Sequence, residues 1–145
     1  MRLISSRSLD DLTPSVKAKA VALLAAAAAN GIDLLVTSTY RDNEAQDALY
    51  RQGRGRAGAI VTNAKAGESF HNYRIAFDVV PIRNGKAVWG TEGADGKIWL
   101  KVGELGESVG LQWAGRWTGK LREMAHFQDS SGLSIADLKA GARPN

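Results

Sequence analysis

The chain has no cysteine, and that absence excludes a disulfide framework and any thiolate metal site. It has only two histidines, three prolines and two methionines in 145 residues. A metal, if one is bound, must therefore rest on His71 or His126 together with carboxylates. Long apolar runs are missing as well. Val21 to Ala29 is the most apolar stretch, and it falls well short of the ~20 residues that cross a bilayer. The N-terminus, Met1 to Arg7, is polar and lacks an apolar core of signal-peptide length. The expectation is synthesis in the cytoplasm with no export route of its own and no membrane insertion. No Gly-rich phosphate loop follows a strand, which argues against nucleotide chemistry.

What is present suits one soluble domain over 1–145, with its core at about 14–130 and a tail at 131–145. Hydrophobic residues make up 44% and charged residues 23%, ordinary values for a globular chain with a real core. The net charge of +4 favours an anionic partner through long-range attraction. Nothing in the sequence demands more than a monomer.

Thr13 before Pro14 is a helix start, and the alanine-rich run carries the helix to Asn30-Gly31. Leu34–Thr39 reads as a strand by its β-branched content. Asp42 is positioned to cap a second helix, 43–52, with Ala45, Ala48 and Leu49 on one face. The loop from Arg51 through Arg54 to Arg56 is basic, an anion contact or simply a solvated loop, and solvation is the better reading. Ile60–Asn63 is a candidate short strand. Ile82–Trp89 predicts a hairpin turning at Asn84-Gly85. A third helix is expected over 97–109, strand and turn over 111–117, a last strand over 125–128, and one helical turn in the tail. Helices interspersed with hairpins imply α+β, with a small, mostly antiparallel sheet and flanking helices.

One stretch stands apart, Ser69-Phe70-His71-Asn72-Tyr73-Arg74-Ile75-Ala76-Phe77-Asp78. Asp78 lies within the apolar run Ile75–Val80, where an unpaired carboxylate is costly. His126 follows Glu123 in Glu123-Met124-Ala125-His126-Phe127. Two imidazoles and a carboxylate are a donor set for an open zinc site, with a glutamate as proton shuttle. Each residue also has a structural explanation. The histidines can be hydrogen-bonded strand residues, and Asp78 can pair with Arg41 or Arg74. On the residues alone the two readings stand level.

The stretch resembles the Ser-x-His-x-x-Gly-x-Ala-x-Asp motif of the zinc peptidases of the M15 group. These include D-alanyl-D-alanine carboxypeptidases and dipeptidases of the vancomycin-resistance type and L-alanyl-D-glutamate endopeptidases of phage endolysins. Thr37 to Asp42 with Gln46 is similar to that family's strand-to-helix segment with its substrate-site arginine. Leu111 to Trp117 resembles its tryptophan-glycine turn, and Glu123 to Gln128 its acidic-x-x-His end. Two positions depart from the pattern. Arg74 replaces a glycine, which at positive φ would cost about 1 kcal/mol or more and add a cation near the metal. Ala114 replaces a glycine of the turn.

The resemblance implies a hedgehog/DD-peptidase-like fold and one Zn²⁺ per chain, held by His71, Asp78 and His126. It implies Glu123 as catalytic base and acid, and Arg41 as the group that steadies the oxyanion. Ser69, Tyr73, Trp113 and Trp117 become candidate substrate contacts, with Ser69 alternatively orienting His71. The implied activity is hydrolysis of the peptidoglycan stem peptide, as an L-alanyl-D-glutamate endopeptidase of a phage or prophage endolysin released to the wall through a holin. The rivals are a D,D-carboxypeptidase or dipeptidase acting on D-Ala-D-Ala, and a non-catalytic wall-binding module. A basic nucleic-acid binder using the arginine loop, or a glycosidase, would leave both histidines idle.

Overall fold

A computed structural model describes residues 3–55, 57–119 and 122–144. Helix α1 (Pro14–Ala29) starts with proline in its first turn and buries Val16, Ala20, Leu23 and Ala27. These fall at i, i+4, i+7 and i+11, a single stripe on a 3.6-residue period. Gly31 takes φ +75 just beyond the helix, the left-handed exit expected of glycine. Strand β1 (Asp33–Ser38) leads to α2 (Asn43–Arg51), where the Asp42 carboxylate accepts from the Ala45 amide at 2.8 Å.

After a long connection come a 3₁₀ turn (Phe70–Tyr73) and strand β2 (Ala76–Arg83), which reverses at Asn84-Gly85 into β3 (Lys86–Ala87). Both turn residues have positive φ, +53 and +76, matching the right-handed twist of a tight hairpin. Helix α3 (Gly93–Ser108) precedes β4 (Gln112–Trp113), a 3₁₀ turn (Ala114–Arg116), β5 (His126–Gln128) and α4 (Ile135–Lys139). No helix among the described residues is long and apolar enough to cross a membrane.

The sheet is antiparallel, in the order β1-β2-β5-β4, with β3 also on β2. Side chains alternate along β2. Phe77 and Val79 enter the main core, together with Leu23, Val102, Trp113 and Phe127, while Asp78 projects from the opposite face. Helices α1 and α3 pack against each other, and against β1 and β4 respectively. Gly103 and Gly106 let α3 lie directly on the sheet. A Cβ at Gly103 would fall 2.2 Å from the Trp113 ring, and one at Gly106 2.4 Å from Phe127. Each helical glycine costs about 1 kcal/mol relative to alanine, and close approach to the rings offsets it.

Several expectations change. Ile60–Asn63 forms no strand, and Ile60 and Val61 are each 56% exposed. A β-branched run without a neighbouring strand has no ladder to join. Instead the Gln52 amide donates to Ala59 O and Arg54 to Thr62 O. Arg54 also stacks on Tyr50 at 4.0 Å, so it fastens the loop; Arg56 lies outside the described residues. Helix α3 begins at Gly93 rather than 97, because the two glycines at 93 and 96 conceal its first turn from a propensity reading.

The core also extends past the expected 14–130, since Leu12 and Leu138 belong to it. The tail is tied down, with Arg143 donating to Leu138 O and stacking on Tyr73. Residues 4–6 run beside 39–42, with Ser6 N donating to Tyr40 O at 2.7 Å and Thr39 N to Ser6 O at 2.8 Å.

Candidate metal centre

Asp78 and His126 are directly opposed across β2 and β5, and Ser38 opposes Asp78 on the β1 side. His71 reaches the same place from the 3₁₀ turn before β2. That turn is capped reciprocally: Ser69 Oγ accepts from the His71 amide at 3.2 Å, and Asn72 Oδ1 accepts from Ser69 N at 3.1 Å. The turn is also sewn to the β1–α2 connection, because Arg41 N donates to His71 O and Asn72 Nδ2 to Arg41 O.

One ligand atom each from His71, Asp78 and His126 lies within 4.8 Å of the others, the one such cluster among the described residues. His71 Nε2 is 3.3 Å and His126 Nδ1 3.2 Å from Asp78 Oδ1. The opposite ring nitrogens settle the tautomers. His71 Nδ1 lies 2.8 Å from Thr39 O, which only accepts, so Nδ1 carries the proton. His126 Nε2 lies 2.8 Å from Gln128 Oε1, whose amide nitrogen is turned to Gln112. Neutral imidazoles held in this way direct two lone pairs at a carboxylate oxygen. Three acceptors converging in so buried a place favour a positive charge between them, a proton or a metal cation. Two imidazoles and a carboxylate match the three-ligand set of catalytic zinc, so these residues fit the ion.

The same place favours positive charge. Burial opposes ionisation of Asp78, but the attraction of imidazoles at His126 and His71 that carry a proton outweighs it and holds its carboxyl well below the usual range. Burial likewise opposes charge on His126, and the Asp78 carboxylate overcomes it and raises the imidazole above its ordinary value; a cation held by neutral imidazoles would supply that charge in place of the proton. Around the cluster, Glu123 Oε2 lies 3.9 Å from His126 Nδ1 on a largely exposed side chain. The Trp117 ring sits 5.7 Å from that of His126. Arg41 makes no ion pair within contact distance among the described residues; Gln46 and Ser38 hold its Nη1 and Nη2. Burial pulls its guanidinium below the ordinary value, against the opposing influence of Asp78 and Glu123.

The structure thus brings together His71, Asp78, His126, Glu123, Arg41 and Trp117. Two other candidate substrate contacts, Trp113 and Tyr73, are occupied elsewhere. Trp113 is 3% exposed, stacks on Phe127 and donates Nε1–H to Met124 O, which makes it core. The Tyr73 hydroxyl donates to Gly67 O at 2.6 Å and its ring packs against the core. Ser69 Oγ accepts from the His71 amide and so orients that turn through the backbone, while its hydroxyl hydrogen stays free to donate.

Arg74 does take φ +65, the conformation that favours glycine. Its cation is not at the metal site, however: the guanidinium lies 3.8 Å over Tyr40 and donates to Asp11 O. Neither Arg41 nor Arg74 is the contact partner of Asp78. Thr39 and Gln128, which set the imidazole tautomers, escaped the sequence reading. Gln128 was detectable by strand alternation from His126; Thr39 acts through a main-chain carbonyl and leaves no side-chain signal.

The chain resembles known proteins along most of its length. The family described as VanY, D-alanyl-D-alanine carboxypeptidase, matches residues 10–126. Peptidoglycan L-alanyl-D-glutamate endopeptidase CwlK of Bacillus subtilis (strain 168) is 42% identical over 123 residues, which cover 81% of this chain and 73% of CwlK. Among solved structures, the LdcB LD-carboxypeptidase superposes with a TM-score of 0.62 at 21% identity, covering 98% of this chain and 86% of that one. A vancomycin-resistance D,D-pentapeptidase VanY in complex with Zn(II) gives 0.58 at 16% identity, covering 94% and 89%. These two likenesses establish the α+β fold. With the match along 10–126 and the His-Asp-His cluster in place, the chain belongs to the VanY D-alanyl-D-alanine carboxypeptidase family of metallopeptidases.

Proposed function

We propose that this chain is a zinc-dependent peptidoglycan hydrolase that cleaves the L-alanyl-D-glutamate bond of the stem peptide. The carrying observation is the convergence of His71 Nε2, Asp78 Oδ1 and His126 Nδ1 with the Glu123 carboxylate beside them. The 42% identity to CwlK supports that bond as the target.

His71, Asp78 and His126 would hold the ion. Zinc bound there supplies Lewis acidity, polarising a carbonyl and bringing the pKa of water to about 7. Glu123 then takes a proton from the attacking water and delivers it to the leaving D-glutamate nitrogen, so that an amide and water become a carboxylic acid and an amine. Its exposure leaves the carboxylate free to reach both partners. Arg41 donates to the carbonyl oxygen as charge develops there. Trp117 lies beside His126, its ring 5.7 Å away. The net positive charge of the chain draws it to an anionic wall.

The family description favours a second reading, release of terminal D-alanine. Digestion of purified peptidoglycan with and without chelator, followed by mass analysis of the products, separates the two. New L-alanine carboxyl and D-glutamate amino ends, abolished by chelator, support the endopeptidase; free D-alanine overturns it in favour of the carboxypeptidase. Chelator-insensitive wall binding with no new ends would make the chain a wall-binding module.

The biological setting we propose is that of an endolysin acting alone as a monomer, made in the cytoplasm and reaching the wall at lysis. Cells expressing the chain should lyse only when a holin is supplied, and lysis without one overturns that setting.

A further inference from the structure

We propose that Gln46 is a positioning residue that locks the Arg41 guanidinium and the 59–66 stretch into one unit, an inference resting on the role assigned to Arg41 above. Gln46 is fully buried on α2, and both ends of its amide are used. Oε1 accepts from Arg41 Nη1 at 2.9 Å, and Nε2 donates to the Ala64 carbonyl at 2.7 Å.

The stretch it grips has no strand partner. Side chains hold it instead: Arg54 on Thr62 and Asn63, Asp47 on the Ala66 amide, Tyr73 on Gly67 O. Gln46 differs from all of these in being fully buried and in touching a residue of the site. It therefore connects the stretch that precedes Ser69 and His71 with the Arg41 guanidinium.

The chemistry requires an amide at this position. Arg41 is anchored by two neutral acceptors, Gln46 Oε1 and Ser38 Oγ, so its charge stays available to a substrate oxygen. Its Nε is buried without a partner. A carboxylate at 46 would neutralise the guanidinium and set an oxygen against the Ala64 carbonyl. An apolar side chain would release both contacts at once. Only a side chain that accepts at one end, donates at the other and carries no charge satisfies both neighbours.

The test compares zinc-loaded full-length wild type with Gln46→Met, Arg41→Ala and the double variant, using peptidoglycan cleavage, zinc stoichiometry and limited trypsin digestion. Gln46→Met is expected to lower kcat/KM about 10–100-fold, mainly through kcat, as misplaced catalytic groups do. In the Arg41→Ala background the same change should cost less than about 3-fold, because the residue it positions is gone. Zinc content stays at the wild-type level throughout.

Trypsin should cut Gln46→Met between Arg54 and Lys65, while Arg41→Ala, which keeps the Ala64 tether, resists. Gln46→Glu keeps an acceptor for Arg41 but loses the donor to Ala64, and should show the same new cuts, which keeps the tether testable should the Met variant not fold. Equal losses in the two backgrounds, or an unchanged trypsin pattern, overturn the proposal. A wild type inert on peptidoglycan overturns the functional reading instead, and the trypsin comparison then decides the tether by itself.

Discussion

The two faces of β2 are built from adjacent residues under opposite rules. Phe77 and Val79 enter a core in which Phe77 stacks on Phe127 and the glycines of α3 press on Trp113 and Phe127, whereas Asp78 meets two imidazoles whose lone pairs leave a charge to be satisfied. The first face stabilises the fold by excluding water and tolerates no added volume. The second holds a buried acceptor cluster that would gain stability from a bound cation. Substitutions on the site face should therefore alter metal binding and turnover while leaving melting of the metal-free protein nearly unchanged. Substitutions on the core face should do the reverse.

The sharpest break is His71→Ala, which removes one of three ligand atoms. Zinc content of the purified protein should fall to background and peptidoglycan cleavage should vanish, with the circular dichroism spectrum retained. Next is Glu123→Gln, expected to lower kcat by roughly 10²–10⁴-fold while zinc stoichiometry stays at one. A metal-free Glu123→Gln protein would show that this carboxylate is a ligand. Gln128→Met releases His126 Nε2 from its partner and should weaken zinc affinity about 10–100-fold, measured by competition with a chromogenic chelator.

On the other face, Gly103→Ala drives a methyl into the Trp113 ring and should cost about 1–3 kcal/mol or more in denaturant unfolding. Activity per folded molecule should persist, and a large drop in kcat would show that the two faces are coupled.

The smallest effect concerns neither face. Burial raises the Asp129 carboxyl, but its contact with Lys19 outweighs this and leaves the pKa below the ordinary value. Its stabilising contribution is full above the unfolded value of about 3.9 and disappears as pH falls through the lower folded value. Lys19→Met should melt lower than wild type near neutrality, and the two curves should converge in acid. Parallel curves down to low pH would remove this pair from the stability balance.

The helices and the hairpin were legible because their signals are local: Pro14 and Asp42 at helix starts, and Asn84-Gly85 at a turn needing two positive φ values. Ile60–Asn63 misled because β-branched content measures fitness for a sheet and does not supply the neighbouring strand. The resemblance made Trp113 and Tyr73 candidates for the groove, yet both rings pack on the core. Trp117, of the same type, lies beside His126. Aromatic chemistry is equally at home in either setting, so only packing separates them.

The sequence by itself determined the donor types, since a cysteine-free chain with two histidines leaves few ways to hold a transition metal. It also determined that Asp78, inside an apolar strand, needed a positive partner. The family resemblance pointed to His71 and His126 beside it, and tertiary structure decided how they meet. The register that sets Asp78 opposite His126 joins residues 48 positions apart, and the tautomers depend on Thr39 O and Gln128 Oε1. Pairing register and the direction of a lone pair arise from contacts between distant segments, and local propensity carries no record of them.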